Sequence, residues 1–340
     1  MPTTSIQFYF EGDDYFKAVA EAISGAQKSV DVEIYYLADD ALGMEFASLL
    51  AATAKKGICV RLIYDAFGCR NTSGEFLEDL KKEGIQIKEY NSLFSPDSHF
   101  RRRNHRKMVI VDGAIGFIGG FNYSVDYSAR HKGKEAWRDT GCRIVDEKLV
   151  LVLSFIFHHS WQGRVEKARE FIRHRGRRPL LTGGAPHFIL ANYGRGKSLI
   201  REEYLSAIAR SRKRVWITTP YFVPDRGIRS ALRRAARRGI DVRLLVPGIT
   251  DIPVVSWAAE STYASLFAAG VKIYEYQGRV MHAKCAVADD DWFTVGTANL
   301  DQMSFFSNLE VNLFGQDSDK TQILSSQFEN DLQSAKRIDP

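Results

Sequence analysis

The stretch HRKMVIVDGAIGFIGGFN, residues 105–122, decides how this chain is read. Met108, Val109, Ile110 and Val111 are an apolar run of strand composition, Asp112-Gly113 is a turn pair, and residues 117–120 return as a neighbouring strand. A strand that is apolar at every position is expected to be covered on both faces. The buried strand is expected to begin at Arg106, so that its period of two sets His105 and Lys107 on one side. The return strand then carries Asn122 back toward them. The spacing is H-x-K-x4-D-x6-G-x-x-N. It recurs at His282, Lys284, Asp289, Gly296 and Asn299, 177 positions on (282 − 105). Five fixed positions at about one in twenty each arise by chance in roughly one chain of this length in ten thousand, so two copies are not noise.

The constellation closes a longer repeat. Residues 54–62, AKKGICVRL, match residues 236–244, ARRGIDVRL, and GIQI at 84–87 matches GVKI at 270–273. Upstream, helical spacing over 16–26 leads into an alternating strand at 29–36, and residues 204–211 lead into 214–221 in the same way. Gly57 and Gly239 stand where helix C-terminal caps are expected. Strands alternating with helical segments predict an α/β protein built from two pseudo-twofold-related α/β/α sandwich lobes with mixed sheets. The expected organisation is a first lobe at 1–162, a basic helix and linker at 163–188, and a second lobe at 189–340, with a cleft on the pseudo-axis.

The constellation suits a phosphate diester. Lys107, Lys284, Asn122 and Asn299 can hold non-bridging phosphate oxygens and the charge of a five-coordinate transition state. One imidazole can attack phosphorus while the other protonates the leaving oxygen. A carboxylate behind each ring would fix its tautomer. Asp139 opens one apolar strand and Glu310 another, 17 residues after Asn122 and 11 after Asn299. They are the candidates, Glu310 for His105 and Asp139 for His282, although either alone fits an ordinary strand residue. On the alternation argument Asp112 and Asp289 point away from this face and are explained by turn chemistry.

Composition narrows the partners. Apolar residues make up 45% of the 340 and charged residues 26%, as in ordinary globular proteins, and the net charge of +6 favours an anionic partner. Cys59, Cys69, Cys142 and Cys285 show no metal spacing and read as free thiols, most of them buried in strands. The other six histidines show no ligand spacing either, and no metal or other cofactor is called for. The start of the chain lacks the basic and apolar segments of a signal peptide. The longest apolar stretch, 149–157, is about half of a membrane span. The basic run Arg164, Lys167, Arg169, Arg173, Arg175, Arg177 and Arg178 is either a solvated linker or a patch for anionic headgroups.

The duplicated pattern resembles the phospholipase D superfamily, whose HKD motif it carries twice, over about residues 10–314. Within it the chain looks most like bacterial cardiolipin synthases of the phospholipase D type. Residues 105–122, TPYFVPD at 219–225, LLVPGITD at 244–251, HAKCAVADDDWFTVGTANLD at 282–301 and residues 304–312 carry the likeness. It implies a phosphatidyl-histidine intermediate, with His105 as nucleophile, His282 as general acid and then base, and Lys107, Lys284, Asn122 and Asn299 on the phosphate. The implied reaction moves a phosphatidyl group to the hydroxyl of phosphatidylglycerol and releases glycerol. It also implies a peripheral site on the cytoplasmic face of the bacterial inner membrane, or a cytoplasmic protein, with anionic phospholipid (phosphatidylglycerol, cardiolipin) as partner. The alternatives are a phosphodiesterase using water on phospholipid or nucleic acid, and a lipid-binding module without activity. Keeping His, Lys and Asn in both copies argues against the last. A nuclease would need stacking platforms, for which Tyr35, Tyr36, Tyr221 and Phe222 are available, although they also fit strand ends in a core.

Three departures stand out. Many relatives carry N-terminal membrane helices, so contact here would be peripheral or a leader is missing. Gly120 replaces a hydroxyl residue that the second copy keeps as Thr297. The loop at 91–104, with Leu93, Phe94, Phe100 and Arg101-Arg102-Arg103, is about nine residues longer than its counterpart and suits either a lipid interface or an active-site flap.

Overall fold

The computed structural model describes residues 5–92, 102–164, 186–194, 198–250 and 261–339. Most of the basic run and the Leu93, Phe94, Phe100 and Arg101 portion of the long loop lie outside the described residues.

The first sheet holds β1 (Ser5–Tyr9), β2 (Ser29–Ile34), β3 (Cys59–Asp65), β4 (Gln86–Tyr90), β5 (Met108–Val111), β6 (Ile115–Gly119) and β7 (Gly141–Val145). The second half contributes β8 (His187–Tyr193), β9 (Arg214–Thr218), β10 (Phe222–Val223), β11 (Asp241–Pro247), β12 (Lys272–Tyr276), β13 (Cys285–Ala288), β14 (Trp292–Gly296), β15 (Leu300–Asp301), β16 (Leu309–Gln316) and β17 (Ala335–Ile338). The first sheet runs β1-β7-β6-β5-β2-β3-β4 and the second, read from its far edge, β8-β16-β14-β13-β9-β11-β12-β17. Strand for strand these are the same sheet, with β17 added. In both, the three strands joined through helices are parallel and the others antiparallel, so the sheets are mixed as expected. Strands β10 and β15 form a short parallel pair of their own.

The sheets face each other across one shared core. Ile110, Ile118 and Ile144 of the first meet Val295, Leu313 and Ala191 of the second, and the helices Glu147–Trp161 and Ser318–Gln333 fill this layer with Leu153, Phe157, Leu324 and Phe328. Helices Gly12–Ser24, Ala41–Lys55 and Gly74–Lys82 cover the outer face of the first sheet, and Leu199–Arg210 and Arg226–Arg237 that of the second. Local sequence explains their ends. Asp40, Ser73, Asp146, Ser198 and Asp317 each accept a hydrogen bond from the backbone N–H three residues on. Gly57 and Gly239 hold φ of 82° and 87°, the left-handed conformation of a C-terminal cap. Among the described residues no helix is long and apolar enough to cross a membrane.

Two expectations need correction. The buried strand begins at Met108, not Arg106, and its counterpart at Cys285. The His-x-Lys segments therefore precede the ladders, because their backbones pair with the opposite half instead. The cysteines are also less uniformly buried in strands than expected: Cys59 is exposed, Cys285 partly covered, and buried Cys69 lies in a turn.

Candidate active site

Each histidine is fixed by a backbone crossing between halves. Asn104 bridges in parallel to Leu309, with His105 N–H donating to Leu309 O at 3.0 Å and Leu309 N–H to Arg103 O at 2.8 Å. The mirror arrangement joins Met281 to Arg138. There, Arg138 N–H donates to Val280 O at 2.9 Å and His282 N–H to Arg138 O at 2.7 Å. The residue after each bridge is a carboxylate on one strand and a histidine on the other. His105 Nδ1 consequently lies 3.0 and 3.1 Å from the Glu310 oxygens, and His282 Nδ1 lies 2.6 Å from Asp139 Oδ2. All four side chains are buried.

The electrostatics follow from that burial. Desolvation is the main cause that holds the His105 imidazole below its usual value, and the charges of Lys107 and Lys284 add to it against the opposing pull of Glu310. Burial alone would raise the Glu310 carboxyl, but His105, Lys107 and the Thr297 hydroxyl outweigh it and hold the group below the ordinary glutamate value. The pair is thus a neutral imidazole donating from Nδ1 to a carboxylate. Lys107 is pushed down to about 7, first by burial and then by the charge of Lys284 from the other half. A diester anion between these two lysines would restore the charged form. Lys107 Nζ donates to His105 O at 2.9 Å, while Lys284 Nζ donates to His282 O and sits 2.8 Å from His282 Nδ1.

The asparagines differ in their holders. Asn122 Nδ2 is 3.0 Å from the Tyr127 hydroxyl, whereas the Asn299 backbone N–H donates to Ser304 Oγ at 3.1 Å. The Oδ1 atoms of both amides are buried without a partner. Tyr35 meets His105 edge-on at 5.0 Å and Tyr221 meets His282 at 6.3 Å. Tyr36 packs beside the core between the first sheet and its covering helices, and Phe222 is in the corresponding core of the second sheet. Among the described residues no cluster of three or more His, Cys, Asp or Glu side chains could share a metal ion.

The remaining motif positions are structural. Asp112 (φ 55°) accepts from the N–H groups of Gln27, Lys28 and Ser29, and Asp289 (φ 51°) from those of Arg212, Lys213 and Arg214. Each aspartate thus ties its hairpin turn to the start of the adjacent central strand. Gly119 lies opposite Gly141 and Gly296 opposite Asn312, where a Cβ would collide with the neighbouring strand.

Gly120 has a specific reason. A Cβ there would collide with the Asp139 carboxylate, whereas its counterpart Thr297 instead donates from Oγ1 to Glu310 Oε2 at 2.5 Å. Replacing Gly120 by threonine is therefore expected to push Asp139 off His282 and lower turnover at least a hundredfold, within the range seen when a carboxylate behind a catalytic imidazole is lost. Steady-state rates decide this, and a variant within tenfold of the parent would refute the close-approach argument.

Sequence reasoning missed two buried residues. Arg106, between His105 and Lys107, reaches Ser160 Oγ at 3.0 Å, Asn192 O at 2.9 Å, Glu310 O at 3.3 Å and Glu33 Oε1 at 3.4 Å. Tyr127 approaches His282 Nδ1 at 3.2 Å. For Arg106 the signal was present: alternation aims the residue between His105 and Lys107 into the core, where a cation needs partners. For Tyr127 the only signal was its place five residues after Asn122, where the second copy has Ser304.

Residues 19–161 and 204–332 match the family described as "Cardiolipin synthase, PLD-like domain". The chain is 36% identical over 339 residues to cardiolipin synthase 2 of Bacillus cereus, covering 96% of this chain and 64% of that protein. It is 33% identical over 346 residues to a cardiolipin synthase of Geobacillus sp. (strain WCH70), covering 99% and 68%. The chain thus spans about two thirds of the length of these relatives. The crystal structure of a phosphatidylserine synthase from Haemophilus influenzae Rd KW20 superposes with a TM-score of 0.77 over 98% of this chain and 87% of that one, at 14% identity. That likeness establishes the fold alone.

Proposed function

Because the chain belongs to the phospholipase D superfamily, in its cardiolipin synthase branch, we propose that it is a phosphatidyltransferase making cardiolipin from phosphatidylglycerol. The observation that carries this reading is the crossed pairing, in which a carboxylate of each half holds the imidazole of the other. In the proposed reaction, neutral His105 attacks the phosphorus of one phosphatidylglycerol through Nε2. The bond from phosphorus to the headgroup oxygen breaks, and glycerol leaves with a proton from His282. The hydroxyl of a second phosphatidylglycerol gives its proton to His282 and attacks the phosphatidyl-histidine. The P–N bond breaks, and cardiolipin and free His105 result. Lys107, Lys284, Asn122 and Asn299 would carry the non-bridging oxygens throughout, and Glu310 and Asp139 would orient the two rings. The proposed lobes are 1–162 and 189–340, joined by the basic segment 163–188.

We further propose peripheral contact with an anionic bilayer at the cytoplasmic face. Helix Arg226–Arg237 supports it. Arg226, Arg229, Arg233 and Arg237 recur at i, i+3, i+7 and i+11, opposite buried Ile228, Ala231, Leu232 and Ala235. None of the four makes an ion pair among the described residues, and no acidic residue occurs at 226–240. The helix opens directly after β10, which pairs with the strand following Asn299.

Incubation with phosphatidylglycerol in detergent micelles tests the reaction. Cardiolipin with an equal amount of glycerol is the expected product. Phosphatidic acid and glycerol without cardiolipin would make the protein a hydrolase, and DNA cleavage without lipid turnover a nuclease.

A further inference from the structure

The two halves repeat each other, but not in how they hold their asparagines. Five residues after Asn122 stands Tyr127, and five after Asn299 stands Ser304. Among the described residues Ser304 serves only its own half, accepting from the Asn299 backbone. Tyr127 reaches out of its half. Its hydroxyl lies 3.0 Å from the Asn122 amide and 3.2 Å from Nδ1 of His282, on the other half.

Resting on the reading above, we propose that Tyr127 is a positioning residue that orients the phosphate-holding amide of Asn122 and ties it to the imidazole of His282. Asn122 Oδ1 is buried without a partner. A carbonyl oxygen facing a diester anion would repel it, so the end of the amide aimed at phosphate has to be the NH2. Oxygen and nitrogen of an amide occupy interchangeable positions on a half-turn. With that half-turn, the Tyr127 O–H donates to Oδ1 and Nδ2 is free to donate to phosphate. One exchange thus satisfies the orphaned acceptor and supplies the donor the chemistry requires.

The phenol oxygen then still has a lone pair for His282. Nδ1 of His282 lies 2.6 Å from Asp139, 2.8 Å from Lys284 Nζ and 3.2 Å from the Tyr127 oxygen; with its proton on Nδ1 the ring donates chiefly to Asp139, and the Tyr127 oxygen is a second, weaker acceptor. This keeps the proton on Nδ1 and directs Nε2 to the reacting oxygen.

Tyr127 is built to hold this place. It ends a single helical turn, Val125–Tyr127, capped by Ser124. The ring packs edge-on against Phe121 at 6.0 Å, Trp137 at 5.2 Å and His282 at 5.6 Å. Helix Gly12–Ser24 begins against its backbone carbonyl, where any Cβ at Gly12 would collide.

Tyr127→Phe keeps the ring and its packing and removes only the hydroxyl. Turnover is measured on phosphatidylglycerol and on bis(p-nitrophenyl) phosphate, for the parent, Tyr127→Phe, Asn122→Ala and the double variant. The expected result is a fall in kcat of tenfold to a hundredfold with KM little changed, and at most a further twofold loss when Tyr127→Phe is added to Asn122→Ala. Such non-additivity marks residues acting as a unit. A Tyr127→Phe variant with parental kcat would overturn the proposal, as would losses that multiply in the double variant. Thermal unfolding at the parental midpoint excludes a purely structural effect. If the parent cleaves only the nitrophenyl diester, the lipid reading fails while the role of Tyr127 is still measured.

Discussion

Replacing His105 by alanine is expected to lower turnover more than a hundredfold while leaving a folded protein. Nδ1 of this ring is committed to Glu310, and Nε2 has no hydrogen-bond partner among the described residues. Burial keeps the ring neutral, so that nitrogen carries the lone pair a nucleophile needs. No second imidazole can take over, because His282 is held by Asp139 on the opposite side. Stability is expected to fall only modestly, since Glu310 keeps the Thr297 hydroxyl and the Lys107 charge. Radiolabelled phosphorus from the substrate should be trapped on a histidine of the parent and not of the variant. Retention of more than about one per cent of the parental rate would remove His105 from the role of nucleophile, given the losses that follow nucleophile removal elsewhere.

Arg106→Met is expected to have the largest effect on stability, about 3–5 kcal/mol, the usual consequence of leaving one charge of a buried pair alone. Arg106 is fully buried and joins β2, the helix Glu147–Trp161, β8 and β16, and its guanidinium also lies 4.7 Å over the Tyr193 ring. Removing it strands Glu33, which is equally buried and keeps only the neutral Asn104 amide and Ser160 hydroxyl among the described residues. Burial already raises the Glu33 carboxyl, with Arg106 as the main opposing influence. Without Arg106 it rises further. A carboxyl whose folded value lies above its unfolded one loses stability as pH rises between the two, so the deficit relative to the parent should shrink as pH falls toward about 5. Denaturant midpoints at two pH values measure both effects. A loss under about 1 kcal/mol would show that the halves are held without this residue.

The two hairpins were legible because each is a short apolar strand, a turn and a return, and all three signals are local. The helices were legible from glycines such as Gly57 and Gly239. Strand β1 was not, since five residues are too few to show a period and its partner β7 lies more than a hundred positions away. Strand β17, at one edge of the second sheet, was not legible either, since four residues with a charged pair at the centre show no period. The start of the strand was set too early, at Arg106, because period alone cannot show that residues 103–105 exchange hydrogen bonds with Leu309. Asp139 and Glu310 could be proposed from the repeat even though they stand 17 and 11 residues past their asparagines. The longer spacing holds the extra turns Ala129–Lys132 and Gly133–Glu135, for which the second half has only the helix Gln302–Phe306. Tyr127 and Arg106 act across the seam between halves, and no local pattern announces that.

The backbone crossing at Leu309 and Arg138 has a genetic corollary. Were either half a separate gene product, it would need a second copy of itself to complete its imidazole–carboxylate couples, and every substitution would then occur at both sites at once. Tandem linkage lifts that constraint. Gly120 against Thr297, Arg106 against Ala283 and Tyr127 against Ser304 are differences that only a joined chain can keep, and they let one pseudo-symmetric cradle assign unlike tasks to its two rings.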